Sequence, residues 1–486
     1  MGNEGQAFGE RFGQVGAQTG HADVREAGAR VDGAEPTASP LPHAAGATAL
    51  SRAAGTGGPA PRSTRTYNKW AILFTVLVMT FMVCLDSSIV TVALPVMQKE
   101  LAAGNGIQWV SSVYLLATCV GVLPFGRMGD RVGKVYVFQA GVVVFTLGSL
   151  LCGLAQTLPI LVAARVVQGV GCAAAMANNM GIITEAFPPR ERGRAMGLLS
   201  TFVALGMMAG PVLGGLIVSS FPWEGIFLIN VPVGVASFLV GLRTLPHVHP
   251  ASDAPSRASS LLGSARLCFS NPTFSINFAT MLIVFMGIGA SEFILPFYFQ
   301  DAHGFSADVS GLLFLALPVT NAVVGPISGT ISDRVGYEVP TIVGLVVYVC
   351  GLLLVGTLNE LDAIPRIVVL VGLMSMGTSI FQSPNNALFM SSAPEDALGF
   401  AGSVSSLARY AGMALGISGC STVLYARMSV AAGRVMTGVD PGEPAVFLAG
   451  YAFVFHVLAA IAAVGLVLTV VRWALRRRER GRRAGE

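Results

Sequence analysis

Gly126-Arg127-Met128-Gly129-Asp130-Arg131-Val132-Gly133 and Gly329-Thr330-Ile331-Ser332-Asp333-Arg334-Val335-Gly336 share one pattern, G-x-x-x-D-R-V-G, 203 residues apart. A repeat at that interval divides the chain into two similar units. The flanking sequence says what the units are. A membrane-spanning helix needs about 20 mainly apolar residues, at 1.5 Å each, to cross about 30 Å of hydrocarbon. Twelve stretches meet that need, at about 70–95, 107–126, 135–155, 158–184, 195–219, 225–245, 274–299, 306–330, 338–358, 364–389, 400–424 and 446–472. One copy of the pattern follows the second stretch and the other follows the eighth. Gly206 and Gly210 of the fifth have counterparts in Gly412 and Gly416 of the eleventh. The expected fold is an all-α membrane protein: twelve transmembrane helices in two pseudo-symmetric six-helix bundles, a layout suited to rocking about a central cleft.

Composition excludes the soluble classes. The 486 residues are 53% hydrophobic and 12% charged, against roughly 25% charged in soluble domains. Water-exposed surface needs those charges, and lipid replaces water over most of this one. The 58 glycines suit close helix packing. Six of the seven cysteines fall inside apolar runs, Cys268 lies in a connector, and no pair has C-x-x-C spacing. Metal and redox readings are therefore poor, and the thiols are expected to act as small apolar side chains. No HExxH or GxSxG motif occurs, and Gly133-Lys134 is followed by Val135 rather than Ser or Thr, so no Walker A loop forms. No enzymatic role, cofactor or metal is expected.

The domain plan follows the apolar pattern. Residues 1–66, rich in Gly, Ala, Pro, Ser and Thr, are expected to be a disordered tail without the apolar core of a signal peptide. Residues 67–245 and 274–472 hold the two bundles. Residues 246–273 connect them, and 473–486 form a basic tail. One side of the spans carries Arg127, Arg131, Lys134, Arg190, Arg192, Arg194, Arg243, Arg257, Arg266, Arg334 and the cluster Arg472, Arg476, Arg477, Arg478, Arg480, Arg482 and Arg483. The other carries only Lys99, Arg366, Arg427 and Arg434. The positive-inside rule then puts both termini in the cytoplasm of a cell-membrane protein. Beside a span, the basic tail reads as a contact for lipid headgroups, not nucleic acid.

Ionisable groups within spans are costly and are functional candidates by default. Asp86 lies among apolar neighbours in the first span, where loss of water disfavours the charged form of a carboxyl. It can trade a proton for a cationic cargo, or it can simply bond a neighbouring helix. Glu292, one turn before Pro296, is a second proton site, a cation contact or an outer gating residue. Arg165 needs a partner wherever it sits. It either tunes a nearby carboxylate or donates to backbone carbonyls. Arg409 is a structural group or an anion contact. Asp130, Arg131 and their copies Asp333 and Arg334 sit at helix ends and read as gating groups, with Gly126 and Gly133 permitting a tight turn. Pro211 with Gly206, Gly210, Gly214 and Gly215 reads as a closely packed hinge. Tyr114, Gln168, Asn178, Asn179, Asn321, Gln382, Asn385 and Asn386 are weaker cavity candidates, each as apt to bond between helices. The 18 methionines fit an adaptable apolar pocket, and His456 reads as a packing residue.

These motifs resemble, over about 70–472, the major facilitator superfamily of transporters, and within it the drug:proton antiporters. Gly126 to Val135 resembles the superfamily's cytoplasmic loop. Leu85-Asp86-Ser87-Ser88-Ile89-Val90-Thr91-Val92-Ala93-Leu94-Pro95 resembles the first-helix motif of the fourteen-span drug exporters. Arg165-Val166-Val167-Gln168-Gly169-Val170-Gly171 resembles the fourth-helix motif, and Gly206 to Gly215 the fifth-helix motif associated with export. Phe227-Leu228-Ile229-Asn230-Val231-Pro232 is similar to the start of the sixth. Two features depart from the family. The 246–273 connector is too short for two further spans, and Trp223-Glu224 stands where Trp-Arg is usual. The resemblance implies a proton-coupled exporter of hydrophobic or cationic compounds acting as a monomer. It also implies proton coupling through Arg165 and a latch at Asp130 and Arg131 that closes in the outward-facing state. The alternatives are a transporter of an endogenous metabolite, for which Arg409 or Arg165 would meet a charged group, and a membrane sensor or enzyme.

Overall fold

The computed structural model describes residues 67–246, 261–394, 398–439 and 442–483. The tail expected over 1–66 and Arg257 lie outside these. The described part of the first half comprises α1 (Lys69–Glu100), α2 (Gln108–Val132), α3 (Lys134–Gly153), α4 (Leu158–Ala186), α5 (Pro189–Ser220), and α6 (Gly225–Leu228) with α7 (Asn230–Thr244) as one broken span. A short helix, α8 (Leu261–Phe269), precedes the second half. There follow α9 (Pro272–Phe297), extended by a π-helical turn to Ala302, α10 (Ala307–Phe314) with α11 (Ala316–Val335), α12 (Glu338–Val355), α13 (Ile364–Ser391), α14 (Leu398–Ala432) and α15 (Pro444–Arg483). Among the described residues there is no strand. Eleven spans among the described residues are long and apolar enough to cross a bilayer. The other expected span is α14, long enough at 35 residues but diluted by Gly, Ser and Arg409.

Glycine notches set the packing of both halves alike. A Cβ on Gly206 would lie 2.7 Å from the Phe81 carbonyl oxygen, and one on Gly210 would lie 1.9 Å from Ser88 Oγ, so α5 rides directly on the α1 backbone. The second half repeats this. A Cβ on Gly412 would lie 2.7 Å from the Leu282 oxygen, and one on Gly416 1.9 Å from the Met286 oxygen, seating α14 on α9. Gly148 against Gln168 and Gly351 against Met374 pair α3 with α4 and α12 with α13 in the same way. Without a hydrophobic drive between helices in lipid, such close approach supplies the association.

The halves meet away from the arginine-rich end. At the far end Lys99 Nζ lies 2.6 Å from Asp301 Oδ1. Gln98 Nε2 donates to Tyr425 Oη at 2.7 Å, and Gln300 Nε2 to the Val92 carbonyl at 2.8 Å. Gly311 and Gly215 bring the start of α10 against the end of α5. Ser112 and Ser418 meet one turn further in, at 3.2 Å. Towards the basic end no ion pair joins the halves among the described residues. The far end is shut.

Two expectations are corrected here. The G-x-x-x-D-R-V-G copies are not loops: both run as the last turns of α2 and α11, and only Gly133 (φ +119°) and Gly336 (φ +86°) make the turn. Gly126 sits inside α2 in ordinary contact with Ala177 and takes no part in it. Asp130 faces Lys134 at 3.5 Å, and Lys134 also holds Glu185 at 2.5 Å, so this charge cluster stays within one half. In the second copy Asp333 accepts from Tyr337 Oη at 3.3 Å. α5 continues unbroken through Pro211.

Candidate functional site

Three helices of the first half, α1, α4 and α7, meet at Asp86, which is fully buried. Its Oδ2 accepts from Arg165 Nη1 at 2.8 Å. Its Oδ1 accepts from Gln168 Nε2 and from Asn230 Nδ2, each at 2.7 Å. Arg165, 1% exposed, also donates through Nε to the Val110 carbonyl at 3.0 Å and through Nη1 to Gln168 Oε1 at 2.6 Å. Gln168 Nε2 reaches Ser149 Oγ at 2.8 Å. The guanidinium lies 4.2 Å from the centre of the Tyr114 ring and 5.6 Å from that of Phe227. An ion pair survives burial only when its remaining donors and acceptors are met, and this network engages both oxygens of Asp86 and the Nε and Nη1 of Arg165. All three groups that reach Asp86 are N–H donors, which fits an ionised carboxylate, an acceptor only.

Beside this pair lies a small cleft between the halves. Ser87 and Thr91 of α1, Tyr114 of α2 and Arg165 wall one side; Glu292 of α9 and Met413 of α14 wall the other. Glu292 is half-buried, and among the described residues no hydrogen bond or ion pair reaches its carboxyl. The site thus sets a sealed, neutralised carboxylate behind one wall and a free acid on the opposite wall.

The structure therefore joins Asp86, Arg165, Gln168 and Tyr114, with Glu292 opposite. It separates the other candidates from them. Asn178 caps no ligand: it donates to the Ala174 and Phe125 carbonyls and fills the space that Gly129 leaves. Asn179 bonds Thr80 Oγ1 at 2.8 Å, and Asn321 accepts from Ser379. Gln382, Asn385 and Asn386 lie on α13, away from the residues that wall the cleft. Arg409 rests over the Phe285 ring at 5.1 Å, closer to the basic end. His456 is exposed and bonds its own helix at Ala452. Three members went unassigned in the sequence. Asn230 and Ser149 were findable as polar residues within apolar spans. Asp301, 4% exposed, lies just past the last apolar residue of its stretch, where composition reads as loop.

Two similar helical halves around a polar cleft, closed at one end, have the architecture of a membrane transporter. The family model described as Major Facilitator Superfamily matches residues 76–417, and the chain belongs to that superfamily. The riboflavin transporter RibZ of Clostridioides difficile is 28% identical over 398 residues, 72% of this chain and 86% of that one. The multidrug resistance protein Stp of Mycobacterium tuberculosis is 28% identical over 404 residues, 72% and 74%. In fold, the chain is similar to a bacterial homologue of the human lysosomal transporter Spinster in its inward-facing, unoccupied form. That likeness has a TM-score of 0.68 at 17% identity, covering 83% of this chain and 96% of that one.

Proposed function

We propose that this protein is a proton-coupled exporter of hydrophobic or cationic compounds, acting as a monomer in the cell membrane with both termini cytoplasmic. The observation that carries the reading is the unpartnered carboxyl of Glu292 in a cleft shared by both halves. An acid there binds either a proton or a cationic cargo, and each excludes the other. Cargo arriving from the cytoplasmic, basic end displaces the proton. Rocking of the halves then opens the far end, where a proton from outside displaces the cargo. The Asp86–Arg165 pair reports that exchange to the first half. Arg165 walls the cleft with one face and holds Asp86 with the other, so a change of charge at Glu292 shifts the balance of the pair. Protonating Asp86 would free Arg165 and let the bundle repack. Asp130, Arg131, Asp333 and Arg334 would close the basic end in that second state, and the notched α5 around Pro211 would be the surface that rocks. Both ligands act only through their different affinities for the two states.

The test is ethidium uptake into everted vesicles. Wild type should accumulate the dye when the interior is acid, and collapse of the gradient should stop it. Asp86→Asn and Glu292→Gln, expressed at wild-type level, should each lose at least about tenfold of the gradient-driven rate, since removal of a central ionic contact costs more than 1.4 kcal/mol. Undiminished uptake in both would remove these residues from the mechanism. A second reading, transport of an endogenous metabolite, is favoured by the equal likeness to RibZ. Gradient-dependent flux of riboflavin with no response to ethidium would establish it instead.

A further inference from the structure

One helical turn beyond the cleft lining, toward the basic end, α14 carries a cation. Met413 and Ile417 line the cleft from α14, and Arg409 stands on the same stripe one turn nearer the basic end, at i, i+4 and i+8. Gly412 and Gly416 press the neighbouring face of α14 onto α9, which fixes that stripe toward the cleft. The opposite wall agrees. Ser87 and Thr91 line the cleft from α1, and Cys84, one turn nearer the basic end on the same stripe, lies within electrostatic reach of Arg409. Cys119 of α2 meets the Leu407 carbonyl at this level, across the two halves. Arg409 is exposed, lies over Phe285 and has no ion pair among the described residues. An exposed guanidinium within the span and without a counter-charge is open to an anionic ligand. Glu292 sits three residues beyond Gly289, whose Cβ would touch the Met413 carbonyl at 2.5 Å. Residues 292 and 409 are therefore about 10 Å apart along the helix axes, at 1.5 Å per residue.

We infer that the preferred cargo is an amphipathic zwitterion, its cationic group on Glu292 and its anionic group, a carboxylate or phosphate, on Arg409. The inference rests on the exporter reading and narrows it. The cationic pole still competes with the proton, so exchange is kept. The anionic pole selects among cargoes, and a charge-assisted contact of this kind is worth tenfold or more in affinity.

The experiment uses the full-length protein with ciprofloxacin, a fluorescent zwitterion, and ethidium, a cation. Binding is followed by fluorescence anisotropy in detergent and transport in proteoliposomes under a pH gradient. The ratio of ciprofloxacin to ethidium affinity should fall about tenfold in Arg409→Gln and return in Arg409→Lys, which also shows that the variants fold. An unchanged ratio in Arg409→Gln, or a wild type that binds no ciprofloxacin, overturns the assignment of Arg409. Arg409-dependent binding with no gradient-driven transport would uphold that assignment and sink the exporter reading instead. Gradient-driven ethidium transport with a ratio indifferent to residue 409 would do the reverse.

Discussion

Asp86 and Arg165 illustrate what a residue-level reading can reach. Each stood out as an ionisable group in an apolar run, and the need of a buried guanidinium for a partner was already a physical requirement. Their pairing was not visible, because they lie 79 positions apart and only the packing of α1 on α4 brings them together. The structure also moves the exchange of proton and cargo. Asp86 was expected to face the cavity, yet it is sealed behind Arg165, and Glu292 is the acid that faces the cleft. The energetic consequence is testable. Asp86→Leu strands the charge of Arg165 and should cost about 3–5 kcal/mol of stability. The double variant Asp86→Leu/Arg165→Met should regain much of that loss, because the stranded charge is gone. Thermal unfolding in detergent measures both. A double variant as unstable as the sum of the singles would mean the two residues are not coupled.

At the scale of elements, apolar length located the spans within a few residues, because the bilayer imposes it on the sequence. It failed at the span ends. The G-x-x-x-D-R-V-G copies carry no apolar signal, so they read as loop, although α2 and α11 run on through them to Gly133 and Gly336. The glycine spacing was legible as packing, and the structure shows what each notch admits. On α14, Gly416→Ala would drive a methyl to 1.9 Å from the Met286 carbonyl, whereas Gly402→Ala meets nothing within 4 Å. Overpacking of that kind costs about 1–3 kcal/mol, while alanine in open helix is neutral or gains up to about 1 kcal/mol. Gly416→Ala should therefore lower the melting temperature in detergent and Gly402→Ala should not. Equal melting temperatures would show that α14 does not ride on α9 as described.

For the whole molecule, the repeat revealed two halves, but which end of the cleft is shut could not be read from it: one sequence must serve both states. The far-end contacts Lys99–Asp301 and Gln98–Tyr425 identify the closed end. In a cysteine-free background, bridging Lys99→Cys to Asp301→Cys with a short reducible bifunctional reagent should hold that end shut and stop transport, and reduction should restore it. Full transport with the bridge intact would mean that these halves do not part there.

The central claim is that cargo and proton exclude one another at Glu292, and proton release measures it directly. Ethidium added to the solubilised protein in lightly buffered solution near neutral pH should liberate protons in wild type, detected by a pH-sensitive dye, and none in Glu292→Gln. Equal proton release by Glu292→Gln, or binding of ethidium by wild type with no release at any pH between 5 and 9, would contradict the account.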